Sequence, residues 1–328
     1  MVLLEELCPD IAPQLAAVTA EVAAMAASDY RPVSEAACAI ASTRGKRLRP
    51  GLLLLSARAC GYDGPRCIVP AAVIEVLHGV SLVHDDVIDG ADMRRGVAAA
   101  RRLWGNKLSV LLGDHLLARA FRRLAELADQ QVMTAIADAA SEMCRGQIQE
   151  ILACGPDLTE AQYFEIVSAK TASLFAASSQ LGAIAAEGTQ SEMAALESFG
   201  RAFGIAYQIA DDILDLTATP EDAGKSVARD LAQGQITLPI IYSLSTGSAA
   251  QRAELLAALD GAPSHDIDPA RVRKLIAGAG GFEYAGGRVQ SFADQAVRCL
   301  EPLAHSPARE ALSAIARDGL AAPIAAGG

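Results

Sequence analysis

Two aspartate clusters of one form, His84-Asp85-Asp86-Val87-Ile88-Asp89 and Ala210-Asp211-Asp212-Ile213-Leu214-Asp215, stand in otherwise apolar stretches. On a helix, side chains four positions apart lie on one face, one turn apart. Asp85 with Asp89, and Asp211 with Asp215, would each form an anionic claw, with Asp86 and Asp212 as supporting acids. Carboxylates held that close among Leu, Val and Ile have to be neutralised by protons, a basic partner or a hard divalent cation. Oxygen-only donors with no Cys or His set beside them suit Mg²⁺, which keeps several waters and is commonly shared with phosphate oxygens. Two acidic helix ends facing solvent would explain one such cluster, but not two in apolar surroundings.

The basic residues suggest what the cation would share. Gly45-Lys46-Arg47-Leu48-Arg49-Pro50 puts cations beside a helix opening, where free N–H groups add to the pull on an anion; an ordinary solvated basic turn is the alternative. Asp92-Met93-Arg94-Arg95-Gly96 places two guanidiniums, whose forked donors suit phosphate, just past the first claw. Lys170-Thr171 lies in a run apolar enough that an unpaired ammonium would be costly to bury, and Gln208 precedes Asp211 by three positions. Lys170, Thr171, Gln208 and, further on, Lys225 either serve a substrate, by gripping phosphate and stabilising a developing cation, or are structural hydrogen-bonding groups. Glu75-Val76-Leu77-His78 has the E-x-x-H spacing that di-iron bundles use in pairs, but no second copy exists. His78 is therefore read as a core histidine or a phosphate contact.

The elements that must position these groups are helical. The chain has 328 residues, 52% apolar but only 4% aromatic, a composition that suits closely packed helices of Ala, Leu, Ile and Val. Helical spacing of apolar residues predicts helices over 75–89, 108–127, 132–152, 160–186, 192–215 and 238–244, and one more after His305, with no alternating strand runs. Breaks fall at 61–65, 154–157 and 217–224, where Gly, Pro, Asp and Thr gather. No stretch reads as a linker, so one all-helical domain over 1–328 is expected. A net charge of −11 argues against a nucleic-acid partner. The seven cysteines stand singly without a CxxC, which predicts reduced, buried thiols. No run of 18 consecutive apolar residues occurs, and the start carries two Glu and no early basic residue, so neither an integral membrane segment nor a leader is expected and the location is read as cytoplasmic.

At GKRLRP (45–50), EVLHGVSLVHDDVIDGADMRRG (75–96), LWGNKLSVLLGDHLLARAF (103–121), AKTASLF (169–175), FGIAYQIADDILD (203–215) and GKSVARDLAQGQITLPIIYSL (224–244) the chain resembles trans-polyprenyl diphosphate synthases. The resemblance covers residues 40–320. It implies an all-α isoprenoid-synthase bundle around a deep central cavity, with the two aspartate helices facing each other across its mouth. A homodimer is implied, or the catalytic subunit of a heteromeric synthase. The implied substrates are isopentenyl diphosphate and an allylic diphosphate, with Mg²⁺ as cofactor, three ions per site when substrate is bound. On the same basis Asp85, Asp89 and Asp211 match direct Mg²⁺ ligands, with Asp86, Asp212 and Asp215 in support. Arg94 resembles the allylic diphosphate contact, while Lys46, Arg49, His78 and Arg95 look like the isopentenyl diphosphate site. Lys170, Thr171, Gln208 and Lys225 match residues around the allylic diphosphate and its reactive carbon. Two departures stand out. Ala98-Ala99 followed by Arg101-Arg102 replaces the usual Pro-Thr, and Gln235 stands where a Lys is common.

Product length follows from the helix before Asp85. Each turn rises about 5.4 Å, so Ser81 and then Leu77 lie deeper on the same face, with Val80 beside them. Short-chain members tend to carry Phe or Tyr there, and none occurs from 71 to 103. An open floor implies a product longer than geranylgeranyl, in the hexaprenyl to decaprenyl range, for a quinone side chain; a shorter, farnesyl or geranylgeranyl, product is the alternative. Leu111 and Leu112 are the other candidates for the floor.

Overall fold

The computed structural model describes residues 8–41, 47–94, 97–153, 155–217, 231, 235–259 and 268–320. Described in chain order are α1 (Ala12–Ala26), α2 (Arg31–Ala41), α3 (Leu48–Ala59) and α4 (Ile68–Ile88). A two-residue hairpin follows, β1 (Met93–Arg94) with β2 (Val97–Ala98), then α5 (Ala100–Leu127), α6 (Gln130–Leu152) and α7 (Glu160–Val167). A π-helical turn (Ser168–Ala172) joins α7 to α8 (Ser173–Ala185), and α9 (Gln190–Thr217) comes next. The remainder is α10 (Leu238–Thr246), α11 (Ala249–Leu259), α12 (Pro269–Gly278), α13 (Gly281–Cys299) and α14 (Pro307–Asp318).

A helix that is apolar all round belongs in the middle, and two approach that description. Nearly every residue of α8 is buried, as are ten of the twelve in α3, including Leu52 to Leu55. These two pack on each other; α9 packs on α8 and α13, and α4 on α5. Phe175 on α8 and Phe203 on α9 meet edge to face at 5.3 Å between ring centres, at the heart of one continuous apolar core. Side-chain caps start the helices that matter to the site. Asp129 accepts from the Gln131 and Val132 N–H groups at the head of α6, and Thr159 with Gln162 forms a reciprocal capping box on α7.

The helices expected at 75–89, 132–152, 192–215 and 238–244 are all present, each extended or trimmed at its ends. The expected helix 160–186 is two helices with a widened turn between them. That over 108–127 starts earlier, at Ala100, and is broken at Gly105, whose φ of +77° only glycine adopts without strain. Where the chain departs from the family pattern two short antiparallel strands pair, with Met93 opposite Ala98 and Arg94 opposite Val97. Arg101 ties the pair down by donating to Asp92 Oδ1 at 2.9 Å and to the Gly90 carbonyl.

Within residues 65–88 an 18-residue window reaches a mean hydropathy of 1.7, enough by length and composition to cross a membrane. Its last turns carry His84, Asp85 and Asp86, and α4 is packed against α1, α3 and α5, the setting of a core helix. The six cysteines among the described residues are free thiols. Contrary to expectation only Cys67 is buried, and Cys38 and Cys144 are exposed. Burial pushes the Cys67 and Cys60 thiols up to about 12, which leaves them unreactive.

Candidate active site

Both aspartate clusters sit at helix C-termini. α4 ends at Ile88, and the Asp89 N–H donates back to the Asp85 carbonyl at 2.8 Å; α9 ends two residues after Asp215. The carbonyl end of a helix dipole is negative, so carboxylates placed there gain nothing from the backbone, whereas a cation does. Two such ends, both carrying carboxylates, converge on a cavity of about 320 Å³.

Asp85, Asp89, Asp211, Asp212 and Asp215 line this cavity together with Arg94, Lys170, Thr171 and Gln208. Nine of the residues that the sequence singles out thus come together, from α4, β1, the π-turn and α9. Ser81, Val80 and Leu77 run down α4 below Asp85. Val80 and Leu77 are buried in the core, and the Ser81 hydroxyl donates to its own helix at the His78 carbonyl, 2.9 Å away. Leu112 is buried, but Leu111 is 63% exposed and cannot close a floor within this chain. Arg49 and His78 lie outside the cavity lining. The Arg49 guanidinium sits 4.1 Å above the Phe175 ring, a cation on an aromatic face. Lys46, Arg95 and Lys225 lie outside the described residues.

The supporting acids have distinct jobs. Asp86 is buried and accepts from Arg94 Nε at 2.7 Å, which orients the guanidinium from behind. Asp212 is buried too, and accepts from the Tyr163 hydroxyl at 2.6 Å and from Gln208 Nε2 at 2.7 Å. With its amide nitrogen committed, Gln208 turns its carbonyl to Thr171, whose hydroxyl donates to it at 2.9 Å. This chain of three hydrogen bonds, Tyr163 to Asp212 to Gln208 to Thr171, holds an amide dipole and a hydroxyl at the cavity wall. Tyr163→Phe should lower kcat by about tenfold, the worth of one buried hydrogen bond to a charged group, with KM little changed. Steady-state kinetics checks this, and an unchanged kcat would show the network to be passive.

Lys170 has the partner that its apolar setting demands. Its Nζ donates to Glu150 on α6, a residue that no local pattern in the sequence marks. Gly146, one turn earlier on α6, makes the meeting possible. A Cβ at this position would stand 2.3 Å from the Lys170 backbone nitrogen, so the helix rides directly on the π-turn. Turns of this kind are frequent at functional sites. Tyr163 and Gln235 also line the cavity and are likewise not among the expected site residues.

The charge balance fits a cation. Six carboxylates face the cavity, Asp85, Asp89, Glu150, Asp211, Asp212 and Asp215, against the two cations Arg94 and Lys170. Burial pushes the Asp85 carboxyl up to about 6, opposed by Lys170. Burial raises Asp212 to about 7 against the pull of its two donors. Among the described residues no group of three or more His, Cys, Asp or Glu side chains is arranged to hold a metal by itself. Any ion here would have to complete its shell with water or substrate oxygens, as Mg²⁺ does.

Comparisons with known proteins agree with this geometry. A family model described as polyprenyl synthetase matches residues 31–276. Over 315 residues the chain is 36% identical to the octaprenyl diphosphate synthase of Escherichia coli (strain K12), covering 95% of this chain and 97% of that one. A crystal structure of a polyprenyl synthase from Caulobacter crescentus CB15, complexed with calcium and isoprenyl diphosphate, superposes with a TM-score of 0.90 at 33% identity, covering 95% of this chain and 96% of that one. The structure of a decaprenyl diphosphate synthase from Rhodobacter capsulatus also gives 0.90, at 32% identity and 97% and 98% coverage. The chain belongs to the polyprenyl synthetase family and is a prenyltransferase.

Proposed function

We propose that this enzyme condenses isopentenyl diphosphate with an allylic diphosphate to build a medium-chain or long-chain polyprenyl diphosphate for a quinone side chain. The observation that carries the reading is the single cavity in which both carboxylate claws face Lys170, Thr171 and Gln208. Asp85, Asp89, Asp211 and Asp215 would hold Mg²⁺, which when bound withdraws charge from the diphosphate and makes it a better leaving group. Arg94, steadied by Asp86, and Lys170 bind diphosphate oxygens. As the allylic C–O bond breaks, the Gln208 carbonyl and the Thr171 hydroxyl present their negative poles to the allylic cation. The alkene of isopentenyl diphosphate attacks that cation. No side chain placed here is needed as a base, since the released diphosphate can take the proton that is lost. Arg49 and His78, set apart from the cavity lining, would serve the second diphosphate.

The tail would run along α4 past Ser81, Val80 and Leu77, a helix face on which this chain carries no aromatic residue. The octaprenyl and decaprenyl synthases that this chain resembles favour the same length. The active form is proposed to be a cytoplasmic homodimer, one all-helical domain per chain. Leu103, Leu108 and Leu111 on α5 are 57%, 41% and 63% exposed, a face that a second copy would cover. The test is to incubate the purified chain, its mass measured in solution, with farnesyl diphosphate, isopentenyl diphosphate and Mg²⁺, and to chromatograph the dephosphorylated products. A ladder passing geranylgeraniol is expected, and Val80→Phe should shorten it. A ladder that stops at geranylgeraniol would make this a short-chain synthase. Activity only with an added partner would make it the catalytic half of a heteromer.

A further inference from the structure

Lys170 is a flexible cation in a cavity dominated by acids, and three of them are within its electrostatic reach. Burial works against its charge, but Glu150, Asp85 and Asp89 together outweigh burial and raise its pKa; Lys170 in turn opposes the rise at Asp85. An ammonium on a four-carbon stem, left to itself, would settle on the paired carboxylates of the first claw, where a divalent cation belongs. It settles on Glu150 instead. Glu150 stands on neither claw helix, and the contact of Gly146 with the Lys170 backbone fixes α6 where the pair can form.

From this we infer that Glu150 is a positioning residue that holds the Lys170 ammonium off Asp85 and Asp89 and so keeps the first claw open to Mg²⁺. The inference rests on the metal reading above. It predicts that the two partners act on the metal in sequence. Glu150 matters only while Lys170 carries an ammonium to restrain.

The experiment is a Mg²⁺ titration with no diphosphate present, so that the role of Lys170 in binding diphosphate oxygens does not enter, followed by the thermal unfolding of the full chain. It compares wild type, Glu150→Gln, Lys170→Met and the double variant. In wild type, Mg²⁺ raises the unfolding temperature. In Glu150→Gln the Mg²⁺ concentration for half the shift rises by about tenfold, the scale of a charge-assisted hydrogen bond. Lys170→Met does not show that rise, and the double variant matches Lys170→Met. Glu150→Asp, which keeps the charge one methylene shorter, falls between wild type and Glu150→Gln. If Glu150→Gln titrates like wild type, the pair is only structural and the inference is overturned. If the double variant is as weak as Glu150→Gln, the carboxylate acts on the metal directly and the inference is again overturned. Should Glu150→Gln fail to fold, Glu150→Asp against wild type decides: a weaker Mg²⁺ response supports the inference and an unchanged one overturns it. Absence of any shift in wild type would instead defeat the metal reading itself.

Discussion

Asp85→Ala lowers kcat by about a thousandfold or more and at the same time makes the metal-free protein more stable at pH 8. The loss of rate follows from removing a carboxylate that holds the leaving group's counter-ion; several kcal/mol of transition-state stabilisation go with it, and each 1.4 kcal/mol or so is a factor of ten. The gain in stability follows from the position of that carboxyl. Burial raises it from 3.8 to about 6, so the folded chain holds this proton more tightly than the unfolded one does. Its ionisation therefore works against folding: the contribution is intact below pH 4, lost as the pH passes about 6, and fully lost at pH 8. Alanine removes that cost, worth on the order of 1–3 kcal/mol. Product assays and calorimetry at pH 8 and pH 5 check both halves, and the stability difference should shrink at the lower pH. A variant that keeps a tenth or so of the wild-type rate would remove Asp85 from the centre of the mechanism.

The second large effect concerns the frame. α3 and α8 touch backbone to backbone at Gly182, where a Cβ would lie 2.4 Å from the Leu53 carbonyl oxygen, 2.6 Å from Ser56 Cβ and 2.7 Å from the Ala57 nitrogen. Main-chain atoms in the middle of a buried helix cannot step aside as a flexible side chain can. Gly182→Val therefore forces the two central helices apart and costs about 3 kcal/mol or more, well above the small gain in helix propensity. At the length of this chain that is a fall in Tm of several degrees, roughly 4 °C, in a thermal melt. Because α8 follows directly on the π-turn, activity should fall further than stability alone requires. A Tm within about 1 °C of wild type would show that the helices have room to separate.

Much of the site is legible in the order of the residues. The claws are legible because i and i+4 spacing is a local property of a helix. Their unusual feature, acids inside apolar runs, needs no partner to be noticed. Lys170 is legible as a residue requiring a partner, but the partner is not. Glu150 is one more glutamate at the polar edge of α6, and nothing nearby in the sequence distinguishes it. Tyr163 is hidden for the same reason, since Asp212 is 49 residues away. The widened turn at Ser168–Ala172 leaves no mark because an extra residue in a helical turn disturbs the apolar period very little. Hairpin pairing at Met93–Arg94 and Val97–Ala98 escapes notice because two residues cannot display an alternation.

By itself the sequence determined the helices, the two anionic grips and the demand for counter-charge, since each follows from spacing within a few turns of one chain segment. Tertiary structure alone decided which cation meets which acid, that both grips end their helices at one cavity, and that Gly146 and Gly182 are places of backbone contact. Those outcomes depend on how separate helices cross, and a crossing is set by the summed packing of whole faces rather than by any local run of residues.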